Sequence, residues 1–387
     1  MEVYILDSLL RRYQVVDKFE SLIWTERWQD AGDFELVLIS NLETRSQFTV
    51  GTHLAINQSY RVMTVETIEN STDSDGMLML NIKGRSLEAI LEDRVAKDTM
   101  SNLTTDPVWT LTGTPATIAR TMFNDICVSG NLDIKDKIPF ITAGTIYPAS
   151  TIPEFATSIT VGIKPTILYD AIKELCDHYD LGFRLVRNFD TSQLYFNIYA
   201  GNDRTTGQVV LPPVVFALGF DNLQDITEFI TIDQSKNVAY VFSEFGSVVV
   251  YPDDVDPDIE GFERRVLLVQ DNDITADTVN IPAALIQKGK EELAKRRGSS
   301  VLDGELNQNS SYIYGIDYDL GDLVEMRNAD GVVSKQRVTE QIFTCDGEGE
   351  RAYPTLFMKY FVTPNAWLSW SNDQVWADFT TEHWGEM

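Results

Sequence analysis

The chain has 387 residues, 43% hydrophobic and 11% aromatic, and sets 59 Asp and Glu against 31 Lys and Arg for a formal charge of −28. Such a length predicts two to four domains, and such a charge excludes a protein that grips a phosphate backbone through clustered cations. Three widely spaced cysteines (Cys127, Cys176, Cys345) exclude a disulfide framework and point to a reducing site of synthesis, while the N-terminus lacks a signal-peptide pattern and no apolar run reaches the roughly 20 residues of a membrane span.

The first segment, 1–95, reads as several short strands with one closing helix. VYILD opens it, and SLIWTERW and GDFELVLI flank a turn at Asp30-Ala31-Gly32. In the second of these, Phe34, Leu36 and Leu38 share one face and Glu35 and Val37 the other, the period of a strand. Gly51 and Asp75-Gly76 punctuate further strands. Ser86 is the expected cap of LEAILEDRV, whose Leu87, Ile90 and Leu91 make a helical stripe. A small barrel or sandwich follows from this pattern.

The middle, 96–225, reads as α+β. TPATIARTMFNDIC has Pro115 near its start, as a helix tolerates, and 129–163 reads as loop with edge strands. KPTILYDAIKELCDHYDLG is the clearest helix, with a stripe of Ile167, Leu168, Ala171, Ile172, Leu175, Cys176 and Tyr179 and an expected C-cap at Gly182. GFRLVRN and QLYFNIYAG follow as strands about a turn at Asp190. From 226 to 362 the pattern returns to β: KNVAYVFSEFGSVVVYP is almost all strand former, and a helix expected over 280–297 closes with Lys295, Arg296 and Arg297 at its negative end. The tail, 363–387, holds Trp367, Trp370, Trp376 and Trp384 without helical or strand period.

One internal echo links the two β regions. VGTHLAINQS (Val50–Ser59) and YDLGDLVEMR (Tyr318–Arg327) each place an apolar residue and a glycine before a strand-like run. Each then reaches an Arg-Val pair, Arg61-Val62 and Arg337-Val338, an Asp-Gly turn, Asp75-Gly76 and Asp346-Gly347, and a final strand, MLMLNIK or TLFMKYF. A small β unit repeated near both ends describes a scaffold before it describes an enzyme.

Candidate chemistry is sparse. His53, His178 and His383 lie in separate segments, and no HExxH, GxSxG, P-loop or GxGxxG pattern accompanies them. Asp253, Asp254, Asp256 and Asp258 alternate as calcium ligands would, but the sixth-position glycine and twelfth-position glutamate of an EF-hand are missing, as the glycine is from QDNDITADTV. Asp317, Asp319 and Asp322 invite a paired-carboxylate reading for glycoside hydrolysis. Asp319, Leu320, Gly321 and Asp322 are instead expected to form a structural turn, because aspartates accept backbone N–H bonds there and glycine admits the backbone conformation. Asp203-Arg204 is read either as a local ion pair or subunit contact or as part of a structured turn. The four C-terminal tryptophans are the candidate partner interface, since tryptophan is enriched among interface anchors; the alternative is a tail that wraps back onto its own barrel.

Five stretches together resemble the tail-hub family (baseplate hub, minor tail, Tal-like) of long-tailed bacteriophages. They are WTERWQDAGDFELVL (24–38), KGRSLEAIL (83–91), AGNDRTTGQ (200–208), NLQDITEFITIDQSKNVAYV (222–241) and GIDYDLGDLVEM (315–326). The resemblance covers roughly 1–362 and implies a β-rich α+β chain of two small tail-tube-like β-barrels, 1–95 and 226–362, with an inserted α+β module at 96–225. It implies a homotrimer whose six pseudo-equivalent barrels ring a channel for DNA and the tape-measure protein, joining the hexameric tube and distal tail protein to a threefold tip with its tip or fibre proteins. It further implies a virion component made in the host cytoplasm, without cofactor, stable nucleic-acid binding, membrane segment or enzymatic activity. The alternatives are a carbohydrate-cleaving tail component using Asp317 and Asp322, or a carbohydrate-binding one stacking sugars on Trp370 and Trp376. The tryptophan-rich tail departs from the family pattern.

Overall fold

A computed structural model describes residues 1–72, 76–106, 108–138, 141–142, 158–188, 193–231, 235–252, 255–271, 281–294, 296, 299–306, 312–331 and 333–357. In chain order the first segment forms β1 (Val3–Leu6), β2 (Arg12–Val16), β3 (Ser21–Arg27), β4 (Asp33–Ile39), the short helix α1 (Leu42–Gln47), β5 (His53–Ile56), β6 (Met63–Thr72) and β7 (Leu78–Ser86). The middle adds β8 (Val95–Ala96), β9 (Trp109–Gly113), α2 (Pro115–Phe123), β10 (Ile141–Thr142), β11 (Ile159–Ile163), β12 (Thr166–Ile167), α3 (Leu168–His178), β13 (Gly182–Arg187), β14 (Leu194–Tyr199) and β15 (Val215–Ala217). Then come β16 (Leu223–Thr231), β17 (Val238–Ser243), β18 (Gly246–Val250), β19 (Val266–Gln270), α4 (Ile281–Ala294), β20 (Ser299–Leu306), β21 (Leu323–Arg327), β22 (Val333–Asp346) and β23 (Gly349–Phe357).

These elements form two compact units, Met1–Asp225 with Glu305–Phe357, and Ile226–Gly304. In the first unit a single 11-stranded sheet runs β15-β21-β22-β3-β4-β7-β6-β5-β1-β2, with β23 branching from β22. The C-terminal strands therefore belong with the N-terminal ones rather than with 226–304, which differs from the expected 226–362 segment. The reason is the length of β22: its first residues pair with β21, and Glu340–Cys345 pair antiparallel with Arg27–Leu22 of β3. The middle segment is likewise not set apart, because Trp109, Phe123, Ile172, Phe183 and Phe196 share one core with Leu6, Ala55 and Val62 of the first segment. Phe123 and Phe196 stack face to face at 4.0 Å.

Local chemistry explains most elements. In β4, Phe34, Leu36 and Leu38 are buried and the residues between them are not, as the alternation predicts. Thr114 caps α2 by accepting from the Thr117 N–H at 3.2 Å, with Pro115 in the first turn where its missing N–H costs nothing. Two expectations fail. LEAILEDRV is a 3-10 helix (Leu87–Asp93) that turns Glu88 inward, and Ser86 Oγ does not cap it but accepts from the Gly32 N–H at 2.8 Å. Gly182 is not the C-cap of α3: the helix stops at His178, Asp180 takes the left-handed conformation (φ 56°), and Gly182 opens β13.

The second unit is smaller. The strands β18-β17-β19 form a sheet covered on one face by α4, with Ala239, Val241, Val250, Leu267, Val269, Leu285 and Leu293 as its core. The pair β17–β18 is an antiparallel hairpin and β17–β19 is parallel. β16 pairs with β20 in a separate two-stranded ladder.

Candidate functional site

The internal echo is a structural repeat. Gly51 and Gly321 have nearly the same left-handed backbone, φ 88° and 87°. The Gly51 N–H donates to the Val65 carbonyl and the Val65 N–H to the Thr52 carbonyl, both at 2.8 Å. In the second copy the Gly321 N–H donates to Val338 at 2.7 Å and the Val338 N–H to Asp322 at 2.9 Å. Each copy then carries a register shift at the next residue, between Val65 and Thr67 on β6 and between Val338 and Glu340 on β22. A shared bulge fixes the alignment. It also corrects the sequence match: Val338 corresponds to Val65, not to Val62 of the Arg61-Val62 pair.

The second copy is clasped by a polar cluster that the first copy lacks. Asp322 is buried, and its carboxylate accepts from the Asn202 N–H (2.7 Å), the Asn202 side-chain amide (3.2 Å), Arg204 Nε (3.3 Å) and the Asp319 N–H (3.0 Å). Burial raises the Asp322 pKa above its ordinary 3.8, against the pull of those N–H donors and of Arg204. Arg204 thus pairs with Asp322 and not with its neighbour Asp203, whose carboxylate accepts from the Thr205 N–H at 2.8 Å. The AGNDR segment is also zipped to the start of β21 by backbone bonds, Leu323 N–H to Asn202 and Arg204 N–H to Leu323, both 2.8 Å. A Cβ on Gly201 would coincide with the Gly321 carbonyl, so this approach requires glycine.

Beneath the Gly321 turn lies Trp28, fully buried. A Cβ on Gly321 would stand 2.5 Å from the indole Nε1, and one on Gly182 would overlap the same ring. Arg337 stacks over Trp28 with its guanidinium 4.7 Å from the ring centre, pairs with Asp180 and donates to the Gly321 carbonyl. Burial pulls the Arg337 pKa below its usual value, and Asp180 and Asp322 oppose that pull. Nearby, Arg184 donates to Asp319 at 3.1 Å and lies 4.1 Å over the Tyr199 ring. Arg61 pairs with the fully buried Glu88, which also accepts from the Leu185 N–H at 2.7 Å, while Glu26 accepts from Ser59 and from Tyr314 (3.0 Å).

The candidate carboxylates are therefore occupied. Asp317 accepts from the Ile313 N–H (2.7 Å), Asp319 from Arg184 and the Leu320 N–H (2.8 Å), and Asp322 from its four donors. Trp367, Trp370, Trp376, Trp384 and His383 lie outside the described residues, as do Asp253 and Asp254. His53 is half-buried on β5 with Nδ1 3.1 Å from Thr64 Oγ1, its pKa lowered by burial; His178 ends α3. Asp256 accepts from the Asp258 N–H at 2.9 Å. Among the described residues no three His, Cys, Asp or Glu are grouped to hold a metal ion, and no helix is long and apolar enough to cross a membrane. The solvent face of β3, β4, β6 and β7 carries a charge ladder instead: Arg27 with Asp33 and Glu340, both 2.7 Å, Lys83 with Glu35 (3.0 Å), and Arg85 with Glu66 (3.0 Å) and Glu92 (2.7 Å). A recess of about 300 Å³ sits among Asp33, Glu35, Glu66, Lys83 and Arg85.

Sequence reading singled out Asp322 and Gly321 and took Gly182 for a helix cap, but missed Trp28, Asp180, Glu88 and Arg184. The available signals were Trp28 inside WTERWQDAG and the glycines at 182, 201 and 321, each of which proves to lack room for a side chain.

A family model described as Siphovirus ReqiPepy6 Gp37-like protein matches residues 2–356. The chain belongs to that family. Among solved structures it is similar to the 43 kDa tail protein of prophage MuSo2 from Shewanella oneidensis, at 14% identity and TM-score 0.57 over 92% of this chain and 97% of that one. It is also similar to a tail protein from Neisseria meningitidis MC58, at 14% identity and TM-score 0.55 over 92% and 95%. Prophage tail protein gp18 from Listeria monocytogenes EGD-e matches at 11% identity and TM-score 0.50 over 92% and 94%. No curated protein matches the sequence. The fold of this siphovirus Gp37-like chain is thus one found in phage tail proteins.

Proposed function

We propose that the chain is the structural hub of a phage tail tip, a homotrimer whose pseudo-sixfold ring joins the tail tube and distal tail protein to a threefold tip. The observation that carries this reading is the repeat of glycine turn, hairpin and bulge at β5–β6 and β21–β22, because two equivalent units per chain make six in a trimer. Each repeat seeds one of two tube-type barrels in this reading. The ring surrounds the passage of DNA and the tape-measure protein, and acidic side chains line it, where their negative charge keeps DNA from sticking. Tip or fibre proteins complete the assembly, with the tryptophans of 363–387 as contact residues.

The role is non-enzymatic. Asp317, Asp319 and Asp322 are engaged by backbone N–H groups and arginines, which supports a turn over a pair of acid and base. Electron microscopy of the recombinant assembly tests the hub: threefold particles with a central channel are expected, and any other symmetry overturns it. Asp317→Asn with Asp322→Asn, assayed for polysaccharide or peptidoglycan release, tests the competing enzyme; the hub has no such activity to lose.

A further inference from the structure

The sheet β18-β17-β19 has one face packed on α4, yet its other face is also apolar. Tyr240 pairs in register with Val249 on one side and Leu268 on the other, so the three share that outer face, and Phe242 follows two residues on. Leu268 is 62% exposed, and Phe242 and Val249 are each nearly half exposed. A sheet with one solvated face normally alternates apolar and polar residues, and parallel pairing such as β17–β19 is characteristic of sheets covered on both sides.

The flank of the face carries an arginine and an acidic strap. Arg264 lies over Tyr240 and Tyr251, 5.8 and 5.5 Å from their ring centres, and donates to the Ile259 carbonyl at 3.0 Å. That contact ties the strap 255–263 to the outer side of the sheet. The strap is ordered by the Asp256 turn and by Gly261 at φ 63°, and it presents Phe262 completely exposed. Asp256, Asp258, Glu260 and Glu263 are exposed on the same strap, 253–263 contains no Lys or Arg, and Arg264 and Arg265 follow it. An exposed aromatic on an acidic strap tied to an apolar sheet face matches one kind of partner.

We propose that this face docks a basic amphipathic protein segment, its apolar stripe on Phe242, Val249, Leu268 and Phe262 and its Lys or Arg side chains on the strap. Charge argues against two other occupants. A second copy docked face to face brings the same acidic strap, and segment 363–387 has Asp373, Asp378, Glu382 and Glu386 but no Lys or Arg. Such docking does not depend on whether the ring forms.

Fluorescence anisotropy on the full chain tests it, with a labelled amphipathic Lys/Leu helical peptide as probe. Binding is expected to weaken at least tenfold with Leu268→Ser and with Phe262→Ala, to fall with added salt, and to be unchanged by Glu348→Gln on the exposed β22–β23 turn. Both substitutions alter exposed side chains, so the thermal midpoint is expected to hold; if either variant misfolds, Val249→Ser replaces it. Equal binding of a Glu/Leu peptide, or no loss in the two variants, overturns the proposal. So does tighter binding of a peptide of residues 363–387, or self-association of the chain that Leu268→Ser abolishes.

Discussion

The two copies of the repeated unit share a backbone but not a setting. Around Gly51 a Cβ would meet nothing within 4 Å, whereas around Gly321 it would meet the indole of Trp28. Thr52 follows the first glycine and the buried Asp322 follows the second. The lesson is that the turn needs glycine for its backbone in both places, but only the second copy uses that turn as a packing surface. A repeat can therefore keep its hydrogen bonds while one copy becomes the point at which distant segments are tied together.

Substitutions separate these two demands. Gly321→Ala should be the most damaging, since a left-handed alanine and a clash with Trp28 act together; a loss of about 4 kcal/mol is expected in chemical denaturation. If it proves no worse than Gly51→Ala, the contrast between the copies is wrong. Arg61→Met should come next, at about 3 kcal/mol, because it strands the carboxylate of Glu88 in the interior. The same measurement on Glu88→Gln combined with Arg61→Met should recover part of that loss.

A third test uses pH. Burial holds the folded pKa of Asp322 above its ordinary value, so between the two values the folded chain binds more protons than the unfolded one. Stability contributed by this group consequently falls as pH rises through that window and is level above it, where the charge is buried in full. Asp322→Asn should remove that slope, seen as a smaller change in thermal midpoint as pH rises from the ordinary carboxylate value, at an overall cost of about 1–2 kcal/mol for the disturbed N–H bonds. An unchanged slope would place the titration elsewhere. Gly51→Ala should be mildest, about 1 kcal/mol, because only the backbone conformation is strained.

Much of the local structure was legible in the residues. The alternation of Phe34, Leu36 and Leu38, the stripe on α3 and the Thr114-Pro115 start of α2 depend on neighbours a few positions away. The echo of Val50–Ser59 in Tyr318–Arg327 was visible for the same reason, since its glycine and Asp-Gly turns are local demands. Its register was not, because Arg61-Val62 looks like Arg337-Val338 while the bulge that aligns Val65 with Val338 is defined only by pairing with β7 and β23.

By itself the sequence determined the main strands, the helices α2, α3 and α4, the glycine turns and the family to which the chain belongs, all of which follow from periodicity, backbone preference and motif. Tertiary structure alone decided that β22 joins β3, that the middle segment shares the N-terminal core, and that Trp28 sits between Gly182, Gly321 and Arg337. The physical reason is distance along the chain. Arg337 and Asp180 are 157 residues apart, and no pattern of spacing marks two side chains as partners when burial, not sequence proximity, brings their charges together.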